Sequence, residues 1–344
     1  MGLSFSNPKE VKPSSYWSQF LHDRIPQSLY GKCVAVTGCT SGTGRIFALE
    51  AARRGAHVLL LNRPSERADA VYAEVVKEAG ASGGAGKVTK VACDLGSFAS
   101  VQKACETVKR EVPKLHVLCN NAGVMALQDK ATEDGHDVQM QTNHLSHFLL
   151  TRELMPLLER AAATDGEARV VNHSSIARKS PPGPLERKYL EKNGGNLGGD
   201  SQSLSGARWV RYQQTKLANC VFTYALHDRL VKAKSQVKAV VAHPGVSSTN
   251  LLTTSFHHGG FMIARLFSFF AQSAEDGTQG ILAAAFEPGV QSGTFWGPHG
   301  MNGMRGKAEP VEPEKECTDE RAKEMLWEAS EKATWFQGGT HWRI

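Results

Sequence analysis

Tyr212 and Lys216 stand four residues apart in RYQQTKLANCVFTYAL, a stretch with helical patterning, so both project from one face of a helix. An ammonium beside a phenol favours the phenolate. It moves a tyrosine from its usual value of about 10 toward neutrality, where the hydroxyl can give or take a proton. Upstream, Asn172-His173-Ser174-Ser175 closes an apolar run. A hydroxyl at the C-terminal edge of such a strand lies where open α/β sheets bind ligands, and it can hydrogen-bond a carbonyl or an alkoxide. The pair and the hydroxyl suit proton transfer during hydride exchange between a carbonyl and an alcohol. Ser174 and Ser175 are the candidate hydroxyls.

A hydride carrier needs a cradle for its phosphates, and TGCTSGTG (37–44) follows the first apolar run and opens a helical pattern. Glycines there permit positive φ and close backbone approach, while free N–H groups and the helix dipole stabilise a pyrophosphate. Gly38, Ser41, Gly42, Thr43 and Gly44 are the expected cradle. About 20 residues further on, an NAD site places Asp or Glu against the ribose 2′-hydroxyl; this chain has Asn62-Arg63 instead. A neutral amide beside a guanidinium suits a 2′-phosphate, so the expected cofactor is NADP(H).

The elements that position these groups alternate. Apolar runs at 34–37, 57–62, 87–94, 115–120, 168–174 and 236–244 read as strands buried on both faces. Helical patterns fill about 43–54, 65–79, 97–111, 135–160, 209–232, 274–286 and 318–334. The alternation predicts an α/β fold, a Rossmann-type doubly wound parallel sheet in a single domain. Residues 1–30 read as an N-terminal extension and 31–344 as the domain. The Gly-rich breaks 80–86 and 193–206 read as flexible loops.

Composition narrows the function. At 344 residues, 41% hydrophobic and 22% charged, the chain has enough apolar residues for a sizeable core. Forty Lys and Arg against 34 Asp and Glu give a net charge of +6, but the basic residues are scattered among acids, so nucleic acid is not an expected partner. The seven cysteines form no C-x-x-C pair or zinc spacing and fit a reducing compartment. No run approaches the roughly 20 apolar residues of a spanning helix, and residues 1–30 lack a signal-peptide apolar region, which gives a cytoplasmic expectation. Met1-Gly2 with Ser6 matches an N-myristoylation pattern. The aromatic stretch at about 251–271, with Phe256, Phe261, Phe267 and Phe270, is the expected apolar lid. Either feature would bring the protein to a membrane surface.

In order along the chain, TGCTSGTG, Asp94-Leu95, Asn120-Asn121-Ala122-Gly123, Asn143 in TNHLSHFLLT, Ser174-Ser175, Tyr212-x-x-x-Lys216 and His243-Pro244-Gly245 resemble the short-chain dehydrogenase/reductase family over about 30–335. YQQTKLAN, HPGVSSTNL, SAEDGTQG and EMLWEASE are closest to its retinol dehydrogenase-like branch. The resemblance implies that Ser175 polarises the carbonyl, Tyr212 is the general acid/base, and Lys216 tunes it and holds the nicotinamide ribose. By the same resemblance Asn143 anchors a proton-relay water and Asp94 and Leu95 flank the adenine. Asn121, Ala122 and Gly123 would line the cofactor path. Pro244, Gly245, Val246 and Thr249 would approach the nicotinamide or pyrophosphate.

The implied activity is NADPH-dependent interconversion of an apolar aldehyde or ketone, retinoid-, steroid- or lipid-like, with its alcohol. A light-driven tetrapyrrole double-bond reductase and a non-catalytic cofactor-binding scaffold are the alternatives. Direction and oligomeric state stay open. Ser175 and Tyr212 lie farther apart than is usual in the family, so an insertion at about 178–208 falls beside the site. His173 replaces a usual aliphatic residue. His144, His147, His257 and His258 lack a third ligand at metal spacing, so no metal is expected.

Overall fold

Runs such as VAVT and HVLLLN form central strands because β-branched and leucine side chains fill both faces of a sheet covered by helices. The structure, a computed structural model, describes residues 11–81, 86–179, 183–203, 205–247, 271–335 and 342. In chain order it contains α1 (Tyr16–Arg24), β1 (Cys33–Thr37), α2 (Gly42–Arg53), β2 (His57–Asn62), α3 (Glu66–Ala81), β3 (Lys87–Ala92), α4 (Phe98–Glu111) and β4 (Val117–Asn120). There follow α5 (Ser146–Asp165), β5 (Ala168–His173), α6 (Ala207–Lys232), β6 (Val237–Ala242), α7 (Ala274–Phe286), β7 (Phe295–Gly300), β8 (Arg305–Pro310) and α8 (Glu320–Ala333).

The sheet order is β3-β2-β1-β4-β5-β6-β7-β8. Neighbours are parallel except β7 and β8, which pair antiparallel. The expected six strands are therefore joined by two more. RGKAEP hides from a hydrophobic search because Gly, Pro and charge are tolerated at a sheet edge, and FWGPHG, next to it, because Gly and Pro break its apolar run where its register with β8 shifts between Pro298 and Gly300. Strand β3 occupies the other edge, and its KVTKVA is mostly exposed or half-buried where a central strand such as β5 is continuously buried. The order reverses between β1 and β4, and the crevice beyond their C-terminal ends is the place such sheets bind ligands.

The first thirty residues are docked where described. Phe20 is buried, Ser14 hydrogen-bonds both carboxylate oxygens of Asp276 through its N–H (3.0 Å) and hydroxyl (2.6 Å), and Arg24 donates to the Ala308 carbonyl, pairs with Glu287 and lies over Trp296. The Gly-rich stretch near 193–206 is fastened rather than free. Asp129 Oδ2 accepts from the N–H groups of Leu197 (3.0 Å) and Gly199 (2.8 Å), and Leu185, Tyr189 and Leu190 of the insertion are buried in the core. Glycine content signals permitted backbone angles, and the partners that hold this stretch lie far away in sequence. No helix of the described residues is long and apolar enough to cross a membrane.

Candidate active site

The phosphate loop is shaped by close contacts. Gly38 has φ 69°, and a Cβ there would sit 2.7 Å from the Ala122 Cα. A Cβ on Gly44 would collide with the Asn121 amide and the Gly38 carbonyl. One side chain ties the loop together: Asn121 Nδ2 donates to the carbonyls of Thr37 (2.9 Å) and Gly38 (3.3 Å), and its Oδ1 accepts from the Thr43 hydroxyl (2.9 Å). The expected path residue is thus also the clamp of the loop. Asn62, expected beside the ribose, accepts from the Cys39 N–H through Oδ1 at 2.8 Å, so its oxygen is taken by the loop although the residue lines the cavity.

That cavity, of about 2090 Å³, runs along the C-terminal ends of the strands and is lined by Gly38, Ser41, Gly42, Thr43, Asn62, Arg63, Asp94, Leu95, Asn121, Ala122 and Gly123. At its other side lie Ser175, Tyr212, Lys216, Pro244, Gly245 and Val246. Asp94 Oδ1 accepts from the Gly96 N–H at 2.8 Å, which curls the chain after β3. Gly245 has φ 64°, and Val246 N–H donates to the Met304 carbonyl at 2.7 Å. Thr249 and residues 251–270 of the expected lid lie outside the described residues, as does Gly2; Ala271 is buried.

At the chemical end the two serines part. The Ser175 hydroxyl acts on the Tyr212 phenol, favouring its ionised form, whereas the Ser174 hydroxyl donates to the Lys216 carbonyl at 2.7 Å. Tyr212 and Lys216 share a face of α6, with the ammonium 5.9 Å from the tyrosine ring centre. The expected lowering of the tyrosine pKa is absent. Burial pushes Tyr212 up to about 12, and the opposing pull comes from the Ser175 hydroxyl. Burial likewise brings Lys216 down to about 8, and its amine donates to the His173 carbonyl at 3.2 Å. Enclosure disfavours the charged form of each group, which raises the phenol and lowers the ammonium.

Asn143 lies in a π-helical turn, Gln141–Leu145, that leads into α5; such turns often occur at functional sites. Both of its amide protons are used, on the Val124 carbonyl and the Thr215 hydroxyl at 2.9 Å each, and Oδ1 accepts from the Val124 N–H at 2.7 Å. Only acceptor capacity is left for a relay water. His147 bridges the Asn143 carbonyl (3.0 Å) and Thr37 Oγ1 (2.9 Å), and His144 meets Ser330 at 2.9 Å, so each histidine is a packed side chain with a partner. His173 meets Asn121 Oδ1 at 2.9 Å and thereby joins β5 to the phosphate loop.

Beyond Asn62 the cavity wall includes Arg63, Ser65 and Arg67. No ion-pair partner of Arg63 or Arg67 is found among the described residues. Arg67 and Ser65 were not anticipated, although the i, i+4 spacing of the arginines about the start of α3 carries the signal. Trp209 was also missed. It lines the cavity and meets Tyr212 edge-on at 6.1 Å.

The short chain dehydrogenase family matches residues 32–186. Retinol dehydrogenase 14 of Mus musculus is 33% identical over 318 residues, covering 89% of this chain and 86% of that protein. The chain belongs to the short-chain dehydrogenase family. Within this family it lies in the retinol dehydrogenase-like branch. An uncharacterized oxidoreductase of Schizosaccharomyces pombe is 38% identical over 225 residues, 65% of this chain and 62% of that one. A solved structure of an uncharacterized protein from Mycobacterium Paratuberculosis aligns with TM-score 0.68 and 32% identity over 91% of this chain and 96% of that one. This short-chain dehydrogenase is thus an oxidoreductase whose sheet gains an antiparallel edge at β8.

Proposed function

We propose that the protein is an NADPH-dependent oxidoreductase that interconverts an apolar aldehyde or ketone, retinoid-, steroid- or lipid-like, with its alcohol. One observation carries this reading: Ser175, Tyr212 and Lys216 face the same cavity as the phosphate loop and the two arginines. The residues present fit a dinucleotide phosphate, since the loop is packed so closely that Gly38 and Gly44 have no room for a Cβ, and Arg63 with Arg67 supplies the charge for a 2′-phosphate. When bound, the nicotinamide would supply the hydride. The Ser175 hydroxyl would hydrogen-bond the substrate oxygen, Tyr212 would hand it a proton, and Lys216 would hold the nicotinamide ribose. A tyrosine held up near 12 keeps its proton at neutral pH, so the proton is in place for the developing alkoxide.

NADPH consumption measured over aldehydes and ketones of graded chain length tests the activity. Tight NADPH binding without consumption on any of them would leave the cofactor-binding scaffold as the better account. Cofactor choice has its own test. Arg63→Ala should weaken NADPH by roughly 10- to 150-fold, the equivalent of about 1.5–3 kcal/mol for a charge-assisted contact, and should leave NADH little changed. A wild type that binds NADH the more tightly overturns the preference.

The reading extends to a cytoplasmic protein that touches a membrane surface through an acyl group on Gly2 or the aromatic 251–271 segment, and here the sequence is the support. One acyl chain binds only marginally, so both contacts would act together. An intact mass of the natively expressed protein should show a myristoyl adduct; an unmodified mass removes that anchor.

A further inference from the structure

Arg211 precedes Tyr212 in α6 and is fully buried, an uncommon position for a guanidinium unless its hydrogens find partners. Its Nη1 donates to the carbonyls of Leu197 (3.1 Å) and Gly199 (2.9 Å) in the insertion. Its Nη2 donates to the Leu127 carbonyl (3.2 Å) in the segment after β4. Three carboxylates surround the fork: Asp137 at 3.4 Å, Asp129 at 3.5 Å and Asp200 at 3.8 Å. Two of them tie the same pieces to each other, because Asp129 N–H donates to Asp200 Oδ1 at 2.7 Å and Asp129 Oδ2 holds the 197 and 199 amides.

The pieces so joined are cavity wall. Met125, Leu127 and Lys130 line it from the segment after β4, Ser205 from the insertion, and Trp209 and Val210 from the start of α6. Between Met125 and Leu127, Ala126 is left-handed at φ 52°, a conformation that persists in a non-glycine residue only where its surroundings enforce it. The Arg211 bond to the Leu127 carbonyl is adjacent to that residue.

We propose that Arg211 is a positioning residue that fastens the 124–130 segment and the insertion to the helix carrying Tyr212 and Lys216, and thereby sets the length of carbonyl compound the cavity accepts. The inference rests on the carbonyl reductase reading and adds a specificity device to it. The insertion is then a fixed wall of the substrate cavity, held from one end of the catalytic helix.

Arg211→Lys tests this, since it keeps the charge but loses the planar fork that spans three carbonyls. Amide hydrogen exchange at Leu197 and Gly199 should accelerate by about tenfold or more as the clasp loosens. The KM for the longest aldehyde in a graded series should change by about tenfold relative to the shortest, with kcat on the shortest and the NADPH dissociation constant within about twofold of wild type. Unchanged exchange, or losses in kcat and KM that are equal across the series, overturns the proposal. Should that variant not fold, Asp200→Asn at the exposed rim of the cluster should give the same pattern at smaller amplitude, and a flat response overturns it equally. If the wild type consumes NADPH with no carbonyl compound, the function reading fails by itself, while the exchange measurement still decides whether Arg211 holds the insertion.

Discussion

Tyr212→Phe is expected to lower turnover by about 10²–10⁴-fold, the usual worth of a positioned acid, and to leave NADPH affinity within about twofold. The substitution keeps the ring, its edge contact with Trp209 and its place on α6. It removes the hydroxyl of the only tyrosine lining the cavity among the described residues. Packing cannot account for a loss of that size, because the phenyl ring fills nearly the same volume. Steady-state kinetics on any active aldehyde, together with cofactor titration by fluorescence, separates the two effects. A phenylalanine enzyme that reduces carbonyls at the wild-type rate would sink the mechanism.

Lys216→Met should abolish activity and weaken the cofactor while making the folded protein more stable. Lys216 is fully enclosed, and burial brings its pKa from 10.5 down to about 8. Keeping it charged at neutral pH therefore costs the fold about 3 kcal/mol. Losing its hydrogen bond to the His173 carbonyl returns about 1 kcal/mol of that, so the variant should gain about 2 kcal/mol at pH 7. The sign is testable. Between about 8 and 10.5 the unfolded chain keeps the proton that the folded one has shed, so wild-type stability rises with pH through this window and the advantage of the variant shrinks. Thermal unfolding at pH 7 and pH 10 reads both the gain and its decline; a variant less stable than wild type at pH 7 contradicts the assignment. In the wild type, kcat/KM for reduction should hold through neutral pH and fall as pH rises past about 8, where the lysine loses its charge.

Much of this site was legible because it depends on local rules. A glycine loop between a strand and a helix, and a tyrosine and lysine one turn apart, are fixed by spacing, and Gly38, Ser175, Tyr212 and Lys216 do meet at one cavity. Central strands such as HVLLLN are legible for the same reason, since burial on both faces demands continuous apolar runs. Strand β8 escaped because an edge position relaxes that demand, and β7 because Gly and Pro interrupt its apolar run beside a register shift. Asn62 and Asn121 were placed correctly on the cavity wall, but their bonds to Cys39 and to the loop carbonyls depend on chain crossings that composition does not reveal. The expected lowering of Tyr212 failed for a related reason: the i, i+4 pairing is local, whereas the burial that overrides it is set by the whole fold. Arg211 was invisible as a clasp because its partners lie at 127–137 and 197–200.

Three histidines described above as packing groups, together with His243 packed edge-on against Phe295, also make the fold averse to protons. Burial brings His144 to about 3, His147 to about 4 and His173 to about 3, and His243 well below its usual value. Their unfolded counterparts take up protons from about pH 6.5 downward. Stability is therefore complete above that value and drains away as the medium acidifies toward the folded values, by about 2 kcal/mol per histidine at pH 5. Four such losses come to about 8 kcal/mol, comparable to the net stability of about 5–15 kcal/mol of a typical domain, so the unfolding midpoint should drop steeply between pH 6.5 and 5. A level midpoint over that range would mean that the histidines charge without opening the core. Otherwise, an acidified vesicle would act on this enzyme as a denaturant, and its chemistry would be confined to compartments near neutrality.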